Sequence, residues 1–311
     1  MSGPGRASLL TWLLAVGCSP ESAALGGPPS SSAASAAVAS SVPVPTATSS
    51  SSAPAQTTAA APAPLRPRSK RGLWIWEFDK RAPSAERAAE LAASWNVGRV
   101  FIKGGNGNER RRWAANASPA NLEPFFSRGI EVWIFGYFYA PDVADADGRT
   151  WGTLEEQVDA TLRTVTERVS GFVVDAEQEF KDRPKDAERL CKLLRARLGK
   201  VPLAYTSYGW IRPNRDFPYA TFDRHCGDAF LPQVYYAFGW PGGLEASLDR
   251  MEREIEALGL KAPVWPIQSN ERDPTVAELQ RFFDRAGPDA SIFHFFPESS
   301  AQTARLSRIR F

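Results

Sequence analysis

From Gly72 to Phe296 the sequence alternates between short apolar runs and segments with helical periodicity. The runs are Gly72 to Phe78, Val97 to Lys103, Ile130 to Tyr139, Gly171 to Ala176, Val201 to Tyr208, Phe230 to Tyr236, Val264 to Gln268 and Ser291 to Phe296. Most are apolar almost throughout, as strands buried on both faces are. Between them lie amphipathic stretches with terminal signals. Ser84 precedes a helix with Ala88, Leu91 and Trp95 on one stripe, and Pro119 opens another. Thr153 with Glu156, and Thr275 with Glu278, have capping-box spacing. Pro184 opens a helix that Gly199 closes, and Gly259 stops the helix marked by Leu244, Leu248, Met251, Ile255 and Leu258. Only the helix between the fifth and sixth strands is weakly marked. A short helix over Ala301 to Ile309 ends the chain. Eight strand–helix units predict an α/β fold, a (β/α)₈ TIM barrel. A doubly wound sheet, the rival, would more often use fewer strands.

The first 69 residues read differently. Arg6 precedes an apolar stretch with Leu9, Leu10, Trp12, Leu13 and Leu14, too short to span a bilayer but suited to a signal peptide. It ends at Ala15-Val16-Gly17-Cys18-Ser19, which resembles a bacterial lipobox with Ala15 where leucine is usual. That resemblance implies a signal peptide over residues 1–17, cleavage before Cys18, lipidation of Cys18 and an exported protein anchored in the bacterial cell envelope. Residues 18–69 are mostly Ser, Ala, Pro and Thr, without the large apolar side chains that offset ordering entropy. They predict a disordered tether ahead of a domain spanning 70–311.

Composition excludes several functions. Lys plus Arg is 37 and Asp plus Glu is 35, and the basic runs are short, so no nucleic-acid partner is expected. His225 and His294 with three scattered cysteines give no zinc spacing, and neither histidine receives a role. Gly104-Gly105-Asn106-Gly107 lacks the Lys-Ser/Thr ending of a phosphate loop. No metal and no cofactor is expected.

The fourth strand carries the chemistry. Gly171-Phe172-Val173-Val174-Asp175-Ala176-Glu177-Gln178-Glu179 runs from apolar to acidic. Asp175 and Glu177 are two apart, so on a strand they share a face. Burying carboxylates is costly unless something satisfies them. On a continuing strand Glu179 would share the face of Asp175 and Glu177, but it is expected to begin a solvated loop. Barrel sites lie at strand carboxyl ends, where this reading also places Lys103, Tyr137, Tyr139, Tyr208, Gln233, Tyr235, Trp265 and Gln268. Acids and aromatics suit carbohydrate, whose rings stack on aromatic faces and whose glycosidic bonds yield to carboxylates.

With these residues the chain resembles retaining glycosidases of the family 25 lysozyme type, with features shared by family 18 chitinases. Asp175-Ala176-Glu177 is the common element. Phe101-Ile102-Lys103 before a glycine-rich loop is similar to the lysozyme type's second strand, and Gln233-Val234-Tyr235 looks like the Gln-x-Tyr of both groups. The resemblance implies Glu177 as general acid and Asp175 as the group orienting a substrate N-acetyl group. It further implies that Tyr235 donates to that acetamido group and that Trp265 floors the sugar site. Two departures stand out. The lysozyme type's first-strand aspartate is missing, with Glu77 or Asp79 as the nearest substitutes, and Val173 stands where the chitinase motif has a further aspartate. The expected function is hydrolysis of N-acetylated glycan, peptidoglycan first. The alternative is a glycan-binding lipoprotein without catalysis, in which Trp74, Trp76 or the Gly104–Gly107 loop blocks the groove. Cys191 and Cys226 fall in neighbouring barrel sectors, and export permits a disulfide between them.

Overall fold

A computed structural model describes residues 69–78, 84–145, 147–294 and 300–311, without the side chains of His294 and Ser300. The signal segment, Cys18, the tether up to residue 68 and Asp79 lie outside the described residues. Eight parallel strands close in sequence order into one barrel: β1 Gly72–Ile75, β2 Arg99–Asn106, β3 Glu131–Tyr137, β4 Gly171–Asp175, β5 Leu203–Tyr208, β6 Phe230–Gln233, β7 Ile267–Ser269 and β8 Ser291–His294. The helices are α1 Ala85–Ser94, α2 Arg111–Asn116, α3 Pro119–Phe126, α4 Leu154–Leu162, α5 Pro184–Leu198, α6 Tyr219–Cys226, α7 Gly243–Leu258, α8 Val276–Ala286 and α9 Ser300–Leu306. The (β/α)₈ expectation holds. Both predicted capping boxes form, Thr153 with Glu156 and Thr275 with Glu278.

The period-2 alternation of each strand sorts its side chains into two cores. Leu73, Ile75, Val100, Ile102, Val132, Ile134, Phe172 and Val174 pack outward against the helices. Trp74, Phe101, Trp133, Phe135, Val173, Ala204, Leu231, Ile267 and Phe293 fill the barrel. Trp74 stacks on Phe101 with ring centroids 4.5 Å apart, and its indole N–H donates to Ser291 Oγ at 2.8 Å. Large aromatics on β1–β3 face Ala204 and Val173 on β4–β5, so the interior is packed rather than hollow.

Several boundaries differ from expectation: β1 ends at Ile75, β3 at Tyr137 and β6 at Gln233, each short of the end of its apolar run. β2 runs through Gly104 and Gly105 to Asn106, with a register shift between Lys103 and Gly105. A side chain at Gly105 would meet Thr161 Oγ1 of α4 at 2.2 Å, so only glycine lets the bulged strand pass beneath that helix. α6, the weakly marked helix, buries Tyr219, Phe222 and Cys226. The structure joins Cys226 to Cys191 of α5 in a disulfide, Cα–Cα 5.5 Å. β7 begins only at Ile267; Val264 makes an isolated bridge to Phe230, and Pro266 supplies no N–H to a continuous ladder.

Candidate active site

β4 ends at Asp175, and the chain turns through Glu177 into a 3₁₀ turn over Gln178–Phe180. That turn brings three acids into the carboxyl mouth of the barrel. Asp175, Glu177 and Glu179 retain 7 %, 9 % and 6 % of their exposure. Glu179 is therefore not the solvated loop residue expected: its carboxylate accepts a 2.7 Å hydrogen bond from the Tyr137 hydroxyl. Tyr137 ends β3 beside Asp175, its register partner on β4. Glu177 accepts 3.0 Å from the Gln233 amide at the end of β6. Asp175 Oδ1 is buried and receives no hydrogen bond.

Burial is the main force on these groups. It pushes the Asp175 carboxyl above the usual range; Lys103 opposes the rise and Glu179 adds to it. It raises Glu177 likewise, reinforced by Asp175 and opposed by the Gln233 hydrogen bond. Glu179 is also raised by burial, with the Tyr137 hydrogen bond working against it. Tyr137 moves far up, through burial and the surrounding acids, and keeps its proton to donate.

Lys103 is fully buried on the inward face of β2. Its ammonium lies 3.3 Å from the Trp76 ring centroid and 4.6 Å from that of Trp113, and it donates to Asn106 Oδ1 at 3.1 Å. An aromatic cage thus replaces part of its hydration. Asn116 of α2 fixes the cage by donating to the carbonyls of Lys103 at 2.8 Å and Trp76 at 3.1 Å. Beyond Tyr137 an aromatic wall continues through Tyr139 to Trp151, the latter two stacked at 4.7 Å. Gly107, at φ +52°, leaves room for Trp151, which a side chain there would strike at 2.3 Å.

The sequence-predicted residues do not all converge. Asp175, Glu177, Tyr137, Gln233 and Lys103 meet at the mouth, and Tyr235 follows Gln233 at the same end, half-buried. Glu77 lies beyond β1 in a two-point ion pair with Arg112. Trp265 is at the opposite end. Its N–H bonds the carbonyl of Phe230, the first residue of β6, and its ring lies 4.3 Å from the Arg99 guanidinium and 5.3 Å from Trp133. It closes the amino end of the barrel and cannot floor a sugar site. Gln268 is fully buried, its amide donating to the Ser269 carbonyl. Trp74 and Trp76 belong to the interior packing. Glu179 is the residue sequence reasoning missed; its signal was the third acid at i+2 from Glu177. Among the described residues no cluster of three His, Cys, Asp or Glu side chains has metal-holding geometry.

No family model matches the chain, and no curated protein does. Solved structures share the barrel. A xylanase-A-amylase inhibitor protein, XAIP-III, aligns with TM-score 0.54 at 11% identity over 76% of this chain and 97% of its own. Concanavalin B aligns with TM-score 0.51 at 13% identity over 78% and 98%. The spore cortex-lytic enzyme SleL of Bacillus cereus aligns with TM-score 0.54 at 10% identity over 77% and 74%. At such identities the likeness is one of fold, and function has to be argued from the site.

Proposed function

We propose that the chain is a glycoside hydrolase of N-acetylated glycan, with peptidoglycan as the first substrate to test. The observation that carries this reading is the buried Asp175–Glu177 pair at the carboxyl end of β4, held at the barrel mouth by Gln233. A general acid must hold a proton at working pH and release it to the leaving oxygen. Burial and the charge of Asp175 keep Glu177 protonated, and the Gln233 amide fixes the carboxyl. The Asp175 carboxylate, 7 % exposed at the mouth, suits an acetamido N–H. Held there, the acetamido carbonyl would attack the anomeric carbon in place of a protein nucleophile, with Tyr235 donating to the same group. This substrate-assisted route is an exception to the two-carboxylate scheme. The barrel shared with a protein named as a spore cortex-lytic enzyme agrees with the choice of peptidoglycan. So does an envelope location through lipidated Cys18, which this reading includes.

One observation favours a second reading, a barrel that binds glycan without cleaving it. Val173 stands where the chitinase-type motif has an aspartate, and it packs into the interior core. The two readings part in one experiment: the purified protein and its Glu177→Gln variant are incubated with peptidoglycan and with chitin oligosaccharides, and new reducing ends are measured. Release by the wild type, lost by about 10²–10⁴-fold in the variant, supports the hydrolase. No release by either, with sedimentation on peptidoglycan retained by both, sinks it and leaves the binder.

A further inference from the structure

A second cluster of charge lies away from the three acids. A cavity of about 600 Å³ opens between α7 and the connection from β5 to α6, lined by Trp210, Arg212, Arg215, Arg250, Arg253 and Glu254 among others. Four arginines and one carboxylate is an unbalanced lining, and the carboxylate is already used. Glu254 accepts the backbone N–H groups of Ile211 at 2.8 Å and Arg212 at 2.9 Å. The acid next to Arg215 in sequence, Asp216, pairs with Lys181 at 3.3 Å. Arg189, Arg195, Arg197 and Arg285 each meet a carboxylate within 2.9 Å, whereas among the described residues Arg212, Arg215, Arg250 and Arg253 form no ion pair. Arg250 is the most constrained of them. Its guanidinium lies 4.9 Å from the Trp210 ring centroid and Nη2 donates to the Pro241 carbonyl at 2.9 Å, while Nη1 is buried without an acceptor. The guanidinium groups of Arg212, Arg215 and Arg253 are exposed, and these are the donors a ligand oxyanion would meet.

We infer that this cavity is an anion site for a carboxylate-bearing substituent of the glycan. Planar guanidinium forks match an oxyanion with two parallel hydrogen bonds, and Trp210, packed on Trp240 at 5.6 Å, adds an apolar face for the attached group. Trp210 follows Tyr208 by two residues, and Tyr208 is the register partner of Gln233, which holds Glu177. Trp210 thus stands in the connection that leaves the mouth beside Gln233. Naming a carboxylate as the oxyanion rests on the glycan reading: the peptide stems of peptidoglycan carry carboxylates and chitin has none.

The test is calorimetric titration of the full-length protein and of an Arg212→Ala/Arg215→Ala/Arg253→Ala variant, all three exposed positions whose loss leaves the core intact. The probes are a peptidoglycan fragment with peptide stems, a stem-free chitin oligosaccharide of the same length, which carries no carboxylate, the small polycarboxylate tricarballylate, and inorganic phosphate. The wild type is expected to bind the stem-bearing fragment at least about tenfold more tightly than the stem-free one. The variant is expected to lose that advantage while binding the stem-free sugars unchanged. Equal binding of both fragments by the wild type, or an advantage that survives in the variant, overturns the inference and leaves the glycosidase reading standing. If neither fragment binds, the glycan reading fails; tricarballylate bound by the wild type and not by the variant then keeps the carboxylate site, and its absence removes it. Phosphate bound in preference to tricarballylate overturns the assignment of a carboxylate.

Discussion

Each end of the barrel buries one cation of β2, and the two ends use it in opposite ways. At the amino end Arg99 meets Glu131 at 2.9 Å and Asp289 at 3.4 Å and lies over Trp265. Its counter-charges are half or a quarter exposed, so water helps to solvate the pairs. At the carboxyl end Lys103, four residues on and on the same strand face, is fully buried among aromatic rings, beside Asp175 and Glu177, two buried acids of raised pKa. The first arrangement closes a barrel. In the second, burial holds protons on the carboxyl groups against the pull of Lys103, at a cost in stability, as the proposed acid role of Glu177 requires. The amino ends of such barrels generally serve stability and the carboxyl ends chemistry, and the charge balance at the two ends agrees with that division.

The largest expected effect is the rate loss of Glu177→Gln, with folding intact. Arg99→Ala should do the reverse. It leaves Glu131 and Asp289 without their cation and removes the guanidinium from the Trp265 face, so we expect a loss of about 2–3 kcal/mol in urea denaturation. The rate per folded molecule should be unchanged. A variant of Arg99 that folded normally but turned over more slowly would break the division between the two ends.

How far the sequence foretold this division varies residue by residue. The eight strands were legible because each is a short apolar run, followed in all but the fifth by an independent helical signal. Asp175 and Glu177 were legible because acids at the end of such a run have few structural uses. Trp265 was misplaced because Val264 to Gln268 reads as one strand. Pro266 interrupts the ladder, which moves the true strand to Ile267 and leaves Trp265 at the amino end. Glu179 was misjudged because alternation along a strand says nothing about the 3₁₀ turn that folds it back onto Tyr137. α6 was faint because its buried stripe is Tyr219, Phe222 and Cys226 rather than aliphatic. The arginine cavity had no signature at all, since its members are brought together only by the packing of α7 against a connection that precedes it by some thirty residues.

Two smaller effects sharpen the comparison through pH. The folded-state pKa values of Asp175 and Glu177 are raised, so the native protein holds protons that the unfolded chain releases above pH about 4. The acids' contribution to stability is therefore full below that pH and is lost as pH rises through the raised values. Asp175→Asn removes one of the titrating groups. It should raise stability by about 1–2 kcal/mol at pH 8 and change it little at pH 4, read as the shift in urea midpoint at each pH. A wild type that gains stability on the variant as pH rises would mean that Lys103 has already drawn the acids into charged pairs, making the mouth a second Arg99-like end. Tyr137→Phe acts in the opposite sense. The Tyr137 hydrogen bond restrains the rise in the pKa of Glu179, and without it a buried carboxylate loses its donor. The loss should be about 1 kcal/mol at pH 8 and smaller at pH 4, where the protonated acid depends less on a donor. Equal losses at both pH values would show that Glu179 stays neutral throughout and takes no part in the charge of the mouth.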